Sequence, residues 1–188
     1  MSWPEFPRSI RLLAALGLAA LVAGCFQPMY GDRALVGGGA AGSGIGSKLA
    51  SVEVEQINAP QGTRLARLGV SVRDELIFAL TGGSAPAAPN YRLKVNLSST
   101  NLQVIVDINT ARPDIQNYGI DSSFTLTDVT TGKVVVNGTT FSRVSYNIPG
   151  QQQRFAGDRG LRDAENRAAS VIVENIRNRL ASYFVAGT

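Results

Sequence analysis

Among side chains able to act as nucleophile, general base or metal ligand, the chain offers a single thiol, Cys25, and no histidine at all. The missing imidazole removes the commonest general base and metal ligand, and with them every Ser-His or Cys-His nucleophile pair. Carboxylates and lysines remain, but nothing in the sequence sets them out as an acid–base pair or a ligand set. The reading is therefore of a protein that is not an enzyme and needs neither metal nor cofactor. One cysteine cannot close an internal disulfide, so stability has to come from burial even in an oxidising compartment.

What surrounds that thiol explains it. Met1 to Arg11 carries Arg8 and Arg11 against Glu5, and Leu12 to Val22 is almost entirely Leu, Ala, Val and Gly. Ala23 and Gly24, two small residues, then precede Cys25. A basic start, a short apolar core and small residues at a cut make a secretory signal peptide over residues 1–24. The apolar run of about 11 to 13 residues falls short of the roughly 20 that cross a bilayer. The ending Leu21-Val22-Ala23-Gly24-Cys25 resembles the lipobox of bacterial lipoproteins. That resemblance implies diacylglycerol on the Cys25 thiol, cleavage before it and acylation of the new amino group, with palmitate among the chains. The alternative is a free buried thiol that happens to follow a signal peptide. Several acyl chains hold stably where one anchors only marginally, so the expectation is a membrane-tethered domain.

Residues 25–48 read as the tether. Seven of the chain's 20 glycines fall between Gly31 and Lys48 among Ala and Ser, and such a linker reaches about 24 Å. The remaining residues, 49–188, suffice for one domain with its own core. The formal charge is +4, and the leader takes two Arg and one Glu with it. Such a mild positive excess favours anionic partners without the signature of nucleic-acid binding.

Along that domain the hydrophobic period alternates between 2 and 3.6. Leu49 to Asn58 reads as a first strand, with Val52 and Val54 set against Glu53 and Glu55. From Thr63, the expected N-cap, Leu65, Leu68, Val72, Leu76, Ala79 and Leu80 trace one face of a helix that Gly82-Gly83 closes. Gly69 within it costs about 1 kcal/mol relative to Ala, which packing has to offset. Tyr91, Leu93, Val95 and Leu97 alternate with Arg92, Lys94, Asn96 and Ser98. Leu102, Val104, Val106 and Ile108 resume in the opposite phase, which predicts one long strand with a bulge, bend or turn at Ser98 to Asn101. Asn109 to Asn117 reads as a loop. Tyr118 to Thr127 forms a third strand, Asp128 to Lys133 a turn, and Val134 to Ile148 a fourth strand with Gly138 as its bulge. After polar residues 151–160, Leu161, Ala164, Ala168, Ile172, Ile176, Leu180 and Tyr183 line one face of a long helix. That face suits a sheet or, alternatively, a membrane surface. The order β-α-β-β-β-α gives an α+β fold, a small four-stranded sheet with two helices packed on one face.

Three groups of residues carry a wider resemblance. Pro28, Tyr30 and Gly31 follow Cys25; Leu126-Thr127-Asp128 with Thr131-Gly132-Lys133 forms a hairpin; Ser145-Tyr146-Asn147 precedes the last helix. With the element order, they make essentially the whole mature chain resemble the lipopolysaccharide-assembly lipoprotein family LptE, with residues 49–188 as its domain. Phe26 departs from the glycine expected after the cysteine, and it is not the aspartate associated with inner-membrane retention. The resemblance implies a plug inside the LptD β-barrel of the lipopolysaccharide translocon, at the periplasmic face of the outer membrane, assisting barrel assembly and lipopolysaccharide delivery without catalysis. Arg92, Lys94, Asn96 and Ser98, with Asp121, Ser123, Thr125 and Thr127, would form the polar face such a plug needs. The lipopolysaccharide phosphates would meet guanidinium groups. Arg112, in the loop after the long strand, is the first candidate for that contact; Arg154 and Arg159, in the loop before the last helix, are the next. The alternatives are an accessory lipoprotein of another envelope transporter and a periplasmic ligand-binding lipoprotein. The 7% aromatic content argues against an aromatic-lined pocket.

Overall fold

Two antiparallel strands of 17 residues each, β2 (Tyr91–Asp107) and β3 (Arg112–Asp128), form the spine of the domain. β4 (Val134–Asn147) pairs antiparallel with β3, and the short β1 (Val52–Val54) pairs parallel with β2, giving a four-stranded mixed sheet in the order β1-β2-β3-β4. Among the described residues three helices complete it: α1 (Ile45–Ala50), α2 (Arg64–Thr81) and α3 (Arg154–Ala186). The computed structural model describes residues 44–85, 87–107, 112–147 and 154–186, all within the compact unit Ala40–Thr188. The expected signal peptide, Cys25 and most of the expected glycine-rich linker lie outside the described residues.

The α+β architecture with two long helices on one face is as expected, with α1 added at the start. α1 takes up Ile45 to Lys48, which composition had assigned to the linker, and Leu49, which the alternation had assigned to a strand. Leu49 is only 2% exposed there, so its burial serves a helix turn as well as it would a strand. The first strand shrinks to three residues. Beyond Val54 only the Glu55 N–H still reaches the Leu93 carbonyl, at 2.9 Å, and the chain then turns so that Ile57 packs over α2.

α2 starts and stops where its sequence directs. The Thr63 hydroxyl accepts from the Ala66 N–H at 3.2 Å, and Gly82 ends the helix in a left-handed conformation, φ 65°. Gly69 faces Ile57, whose Cγ2 would sit 3.3 Å from an added Cβ. The packing that offsets the glycine is therefore the crossing of the chain that leaves β1.

Inward-facing Leu93 and Val95 of β2, Ile120, Phe124 and Leu126 of β3 and Val136 of β4 meet Leu68, Val72, Leu76 and Leu80 of α2 and Ala164, Ala168, Ile172, Ile176 and Leu180 of α3. Leu76, Leu93, Ile120, Leu126, Ile172, Ile176 and Leu180 are less than 2% exposed, and burying each side chain of that size contributes about 1.5–3 kcal/mol. That apolar layer holds both helices on the sheet, so the apolar stripe of α3 covers strands. No helix among the described residues is long and apolar enough to cross a membrane.

Four boundaries differ from the sequence reading, each for a physical reason. Ser98 to Asn101 run in regular register with Asp121 to Tyr118; the shifts in β2 come later, around Ile105. The strand keeps its phase and the apolar side chain changes face, leaving Leu102 62% exposed. Arg112 to Asn117 are strand, not loop. Pro113, at Val106↔Pro113, lies beyond Ile115↔Asn147, the last pair β4 makes among the described residues, and a strand end of that kind tolerates proline. Gly138 pairs regularly with Phe124, and the extra residue in β4 is Val135, between Leu126↔Val136 and Thr127↔Val134. Finally, α3 begins at Arg154 and not at Leu161, running through Gly157 and Gly160. Ile148 lies outside the described residues.

Candidate functional site

Among the described residues two surfaces can meet a partner: the sheet face that none of the three helices covers, and the end of the helical layer. On the uncovered face stand Arg92, Lys94, Asn96 and Ser98 of β2, opposite Thr127, Thr125, Ser123 and Asp121 of β3. The alternation of side chains along a strand puts them there together. Arg92 sits between Glu53, at 3.4 Å, and Glu55, at 3.6 Å. Arg143 of β4 donates to both Asp121 carboxylate oxygens, at 2.7 and 3.0 Å, and stacks over the Phe141 ring, 5.6 Å from its centroid. Phe141 is 67% exposed. It closes one side of a shallow depression of about 430 Å³ lined by Asn96, Ser98, Asp121, Ser123 and Thr139. The face is largely polar, with Arg92, Asp121 and Arg143 in ion pairs and Leu102, Val134 and Phe141 as exposed apolar points.

The second surface is a cleft of about 380 Å³ between the first turns of α2 and the beginning of α3. Arg64 and Arg67 enter from α2, and Arg159 and Arg162 from α3, with Asp158, Glu165, Phe155 and Leu161 completing the lining. Glu165 is 4% exposed. Its Oε2 accepts from the Arg67 Nη2, while its buried Oε1 has no hydrogen-bond partner. On the sheet beside it, burial pushes the Tyr118 phenol above its usual value. The hydrogen bond from Ser99 opposes that shift, Glu165 adds to it, and Arg67 and Arg64 lower it. Further along the same inner face the Tyr146 hydroxyl donates to Gln116 Oε1 and accepts from Asn101 Nδ2 at 3.0 Å. Gly160 of α3 rests against the Tyr146 ring.

The predicted site residues fall in three places. Cys25 lies outside the described residues. Arg112 is the first residue of β3, in register with Asp107, so it belongs to a strand end and not to the loop expected. Arg154 and Arg159 are likewise helical and not in a loop: Arg154 opens α3, and Arg159 lines the cleft. The sequence reading missed Arg64, Arg67, Arg162 and Glu165. A signal was available, since Arg159 and Arg162 share the i, i+3 spacing of one helix face once α3 is extended back to Arg154. Among the described residues no group of acidic, histidine or cysteine side chains is placed to hold a metal ion.

A family model described as LptE, lipopolysaccharide-assembly, matches residues 49–180. Among solved structures the chain is similar to a candidate lipoprotein from Caulobacter crescentus CB15, at 20% identity and TM-score 0.58 over 75% of this chain and 96% of that one. It is also similar to rare lipoprotein B from Shewanella oneidensis, at 15% identity and TM-score 0.39 over 72% and 91% of the two chains. A minor lipoprotein from Acinetobacter baumannii aligns at 17% identity and TM-score 0.41 over 68% and 89%. The Caulobacter likeness is one of fold. Among curated proteins none matches the chain in sequence.

Proposed function

The chain belongs to the LptE family and acts in lipopolysaccharide assembly, and from that premise we propose that it is a lipid-anchored plug and assembly partner of the LptD β-barrel in the outer membrane. In this reading residues 1–24 are removed, Cys25 carries the lipid, residues 25–48 form the tether and residues 49–188 form the domain that enters the barrel from the periplasmic face. It binds and positions, and catalyses nothing.

One observation supports the docking half: among the described residues, helices cover one face of the sheet only. A bare sheet face in water is ordinary for an antiparallel sheet. Here that face combines paired charges, Arg143 with Asp121 and Arg92 with Glu53 and Glu55, with exposed Phe141 and Leu102. Such a surface suits a polar barrel lumen. Its internal ion pairs leave few charges to desolvate unpaired. Arg112, Arg154 and Arg159 take lipopolysaccharide phosphates in this reading, and Arg112→Glu is expected to weaken lipopolysaccharide binding without altering folding.

A mild-detergent pull-down of the full-length lipoprotein from its own outer membrane tests the proposal. A stoichiometric large β-barrel is the expected companion, and Phe141→Asp should deplete it. Recovery of the lipoprotein alone, or with an inner-membrane transporter, would replace the plug by one of the other lipoprotein readings.

A further inference from the structure

The helix-end cleft has a charge arrangement that the fold alone does not call for. Helix N-termini carry partial positive charge and ordinarily attract acidic side chains. The first turns of α2 and α3 hold no acidic residue, and Arg64 and Arg67 stand in the opening turn of α2. Among the described residues no ion pair engages Arg64, Arg159 or Arg162. The positive end of α2 and these guanidinium groups therefore converge on one cleft with Asp158 and Glu165 as the only opposing charges in its lining. An anion placed there would relieve the repulsion. The other unusual feature is the buried Oε1 of Glu165, an acceptor without a donor. An unpaired buried acceptor is costly, and a small turn of the Glu165 side chain towards the cleft it lines would let an amine or hydroxyl next to a ligand's anionic group satisfy it.

We propose that the cleft between α2 and α3 binds a phosphate-ester headgroup through Arg64, Arg159 and Arg162, with an adjacent amine or hydroxyl of the ligand donating to Glu165. Phosphate matches the fork of guanidinium donors in charge and shape. Phe155, 84% exposed at the rim, gives the apolar part of such a ligand a first contact. Two sources share this chemistry, an aminosugar phosphate of a glycolipid and the glycerophosphate of a membrane lipid. In the first case the site rests on the proposed handling of lipopolysaccharide and deepens it. The cleft lies in the helical layer, on the other side of the sheet from the face assigned to the barrel, so one can be filled while the other is docked.

The test is calorimetric titration of the full-length lipoprotein in non-ionic detergent with glucosamine 1-phosphate, glycerol 3-phosphate and orthophosphate. Saturable binding of at least one ester, tighter than orthophosphate, is expected, and the tighter of the two esters identifies the source. Arg159→Gln with Arg162→Gln should weaken it about tenfold or more, in line with losing charge-assisted contacts. Arg64→Gln, on the other helix, should weaken it as an independent variant. No saturable binding of either ester, orthophosphate binding as well as the esters, or equal affinities for wild type and both variants would overturn the proposal. Barrel recovery in the pull-down should be unchanged by the double substitution, so a failed plug reading and a failed cleft reading give different results. Loss of the barrel with the double variant would show that the cleft is part of the docking surface and overturn its independence.

Discussion

Gly138 is the position where a single added carbon should be most informative. A Cβ built there would lie 2.7 Å from Cζ of Phe124, 3.1 Å from Cε1 and 3.4 Å from Cε2. Carbon atoms attract best at about 3.5–4.0 Å, so the ring would have to retreat by about 1 Å. Phe124 is 4% exposed and packed in the core, which leaves it little room. Gly138 pairs in regular register with Phe124 and is not among the glycines with positive φ, so alanine meets no backbone strain. Two effects then oppose each other. Alanine in a strand recovers about 0.5–1 kcal/mol of backbone entropy relative to glycine, whereas overpacking a core costs about 1–3 kcal/mol. The clash should win, leaving Gly138→Ala destabilised by about 1–2 kcal/mol. At about 2–4 °C per kcal/mol for a domain near this size, the thermal midpoint should fall by about 2–8 °C. Reversible urea unfolding of wild type, Gly138→Ala, Phe124→Leu and the double variant completes a thermodynamic cycle. In the Phe124→Leu background the alanine should be neutral or stabilising, giving a coupling of about 1–2 kcal/mol, above the roughly 0.5 kcal/mol expected of independent sites. A Gly138→Ala protein as stable as wild type, or additive effects around the cycle, would refute the idea that the phenyl ring occupies the space of the missing side chain.

The Arg67–Glu165 pair should respond asymmetrically. Arg67→Met strands a carboxylate that is 5% exposed and should cost about 2–3 kcal/mol in urea unfolding. Glu165→Met should lie within about 1 kcal/mol of wild type, because the half-exposed Arg67 can turn to water and the unpaired Oε1 disappears. Thr63→Ala removes the N-cap of α2 and should cost about 1 kcal/mol, with loss of protection in its first turn by hydrogen exchange. The Asp128 carboxylate accepts from the Thr131 N–H at 2.8 Å, and that bond, with the Thr131 hydroxyl, holds its pKa below the usual 3.8. A group depressed in the folded state stabilises above its unfolded pKa and loses that contribution as pH falls through the folded value. An NMR titration should accordingly find Asp128 ionising below 3.8, and Asp128→Asn should remove its share of the acid-side loss.

The parts of the fold written in local chemistry were legible without coordinates. Thr63 and Gly82 bound α2 because a hydroxyl cap and a left-handed glycine act on their own neighbours. Thr131-Gly132 turns the β3–β4 hairpin for the same reason, with Gly132 at φ 68°. The apolar faces of α2 and α3 were legible because burying them is the dominant free-energy gain, and it imposes a period on any sequence that achieves it. Leu102 misled because an exposed apolar residue on a regular strand leaves the same trace as a bulge. The polar run 151–160 misled because its composition says nothing of the strand end and the Tyr146 ring against which Gly160, in the second turn of α3, rests.

The sequence by itself determined that the domain is an α+β layer protein without histidine chemistry, and it carried the resemblance to the LptE family. Both conclusions follow from composition, period and short motifs, which depend on residues close together in the chain. Tertiary structure decided the rest: that β1 pairs parallel at the edge of β2, that Phe124 fills the place of a side chain at Gly138, and that Arg64 and Arg67 meet Arg159 and Arg162. Each of these joins segments far apart in sequence, where the partner is selected by packing of the whole core and no local signal names it.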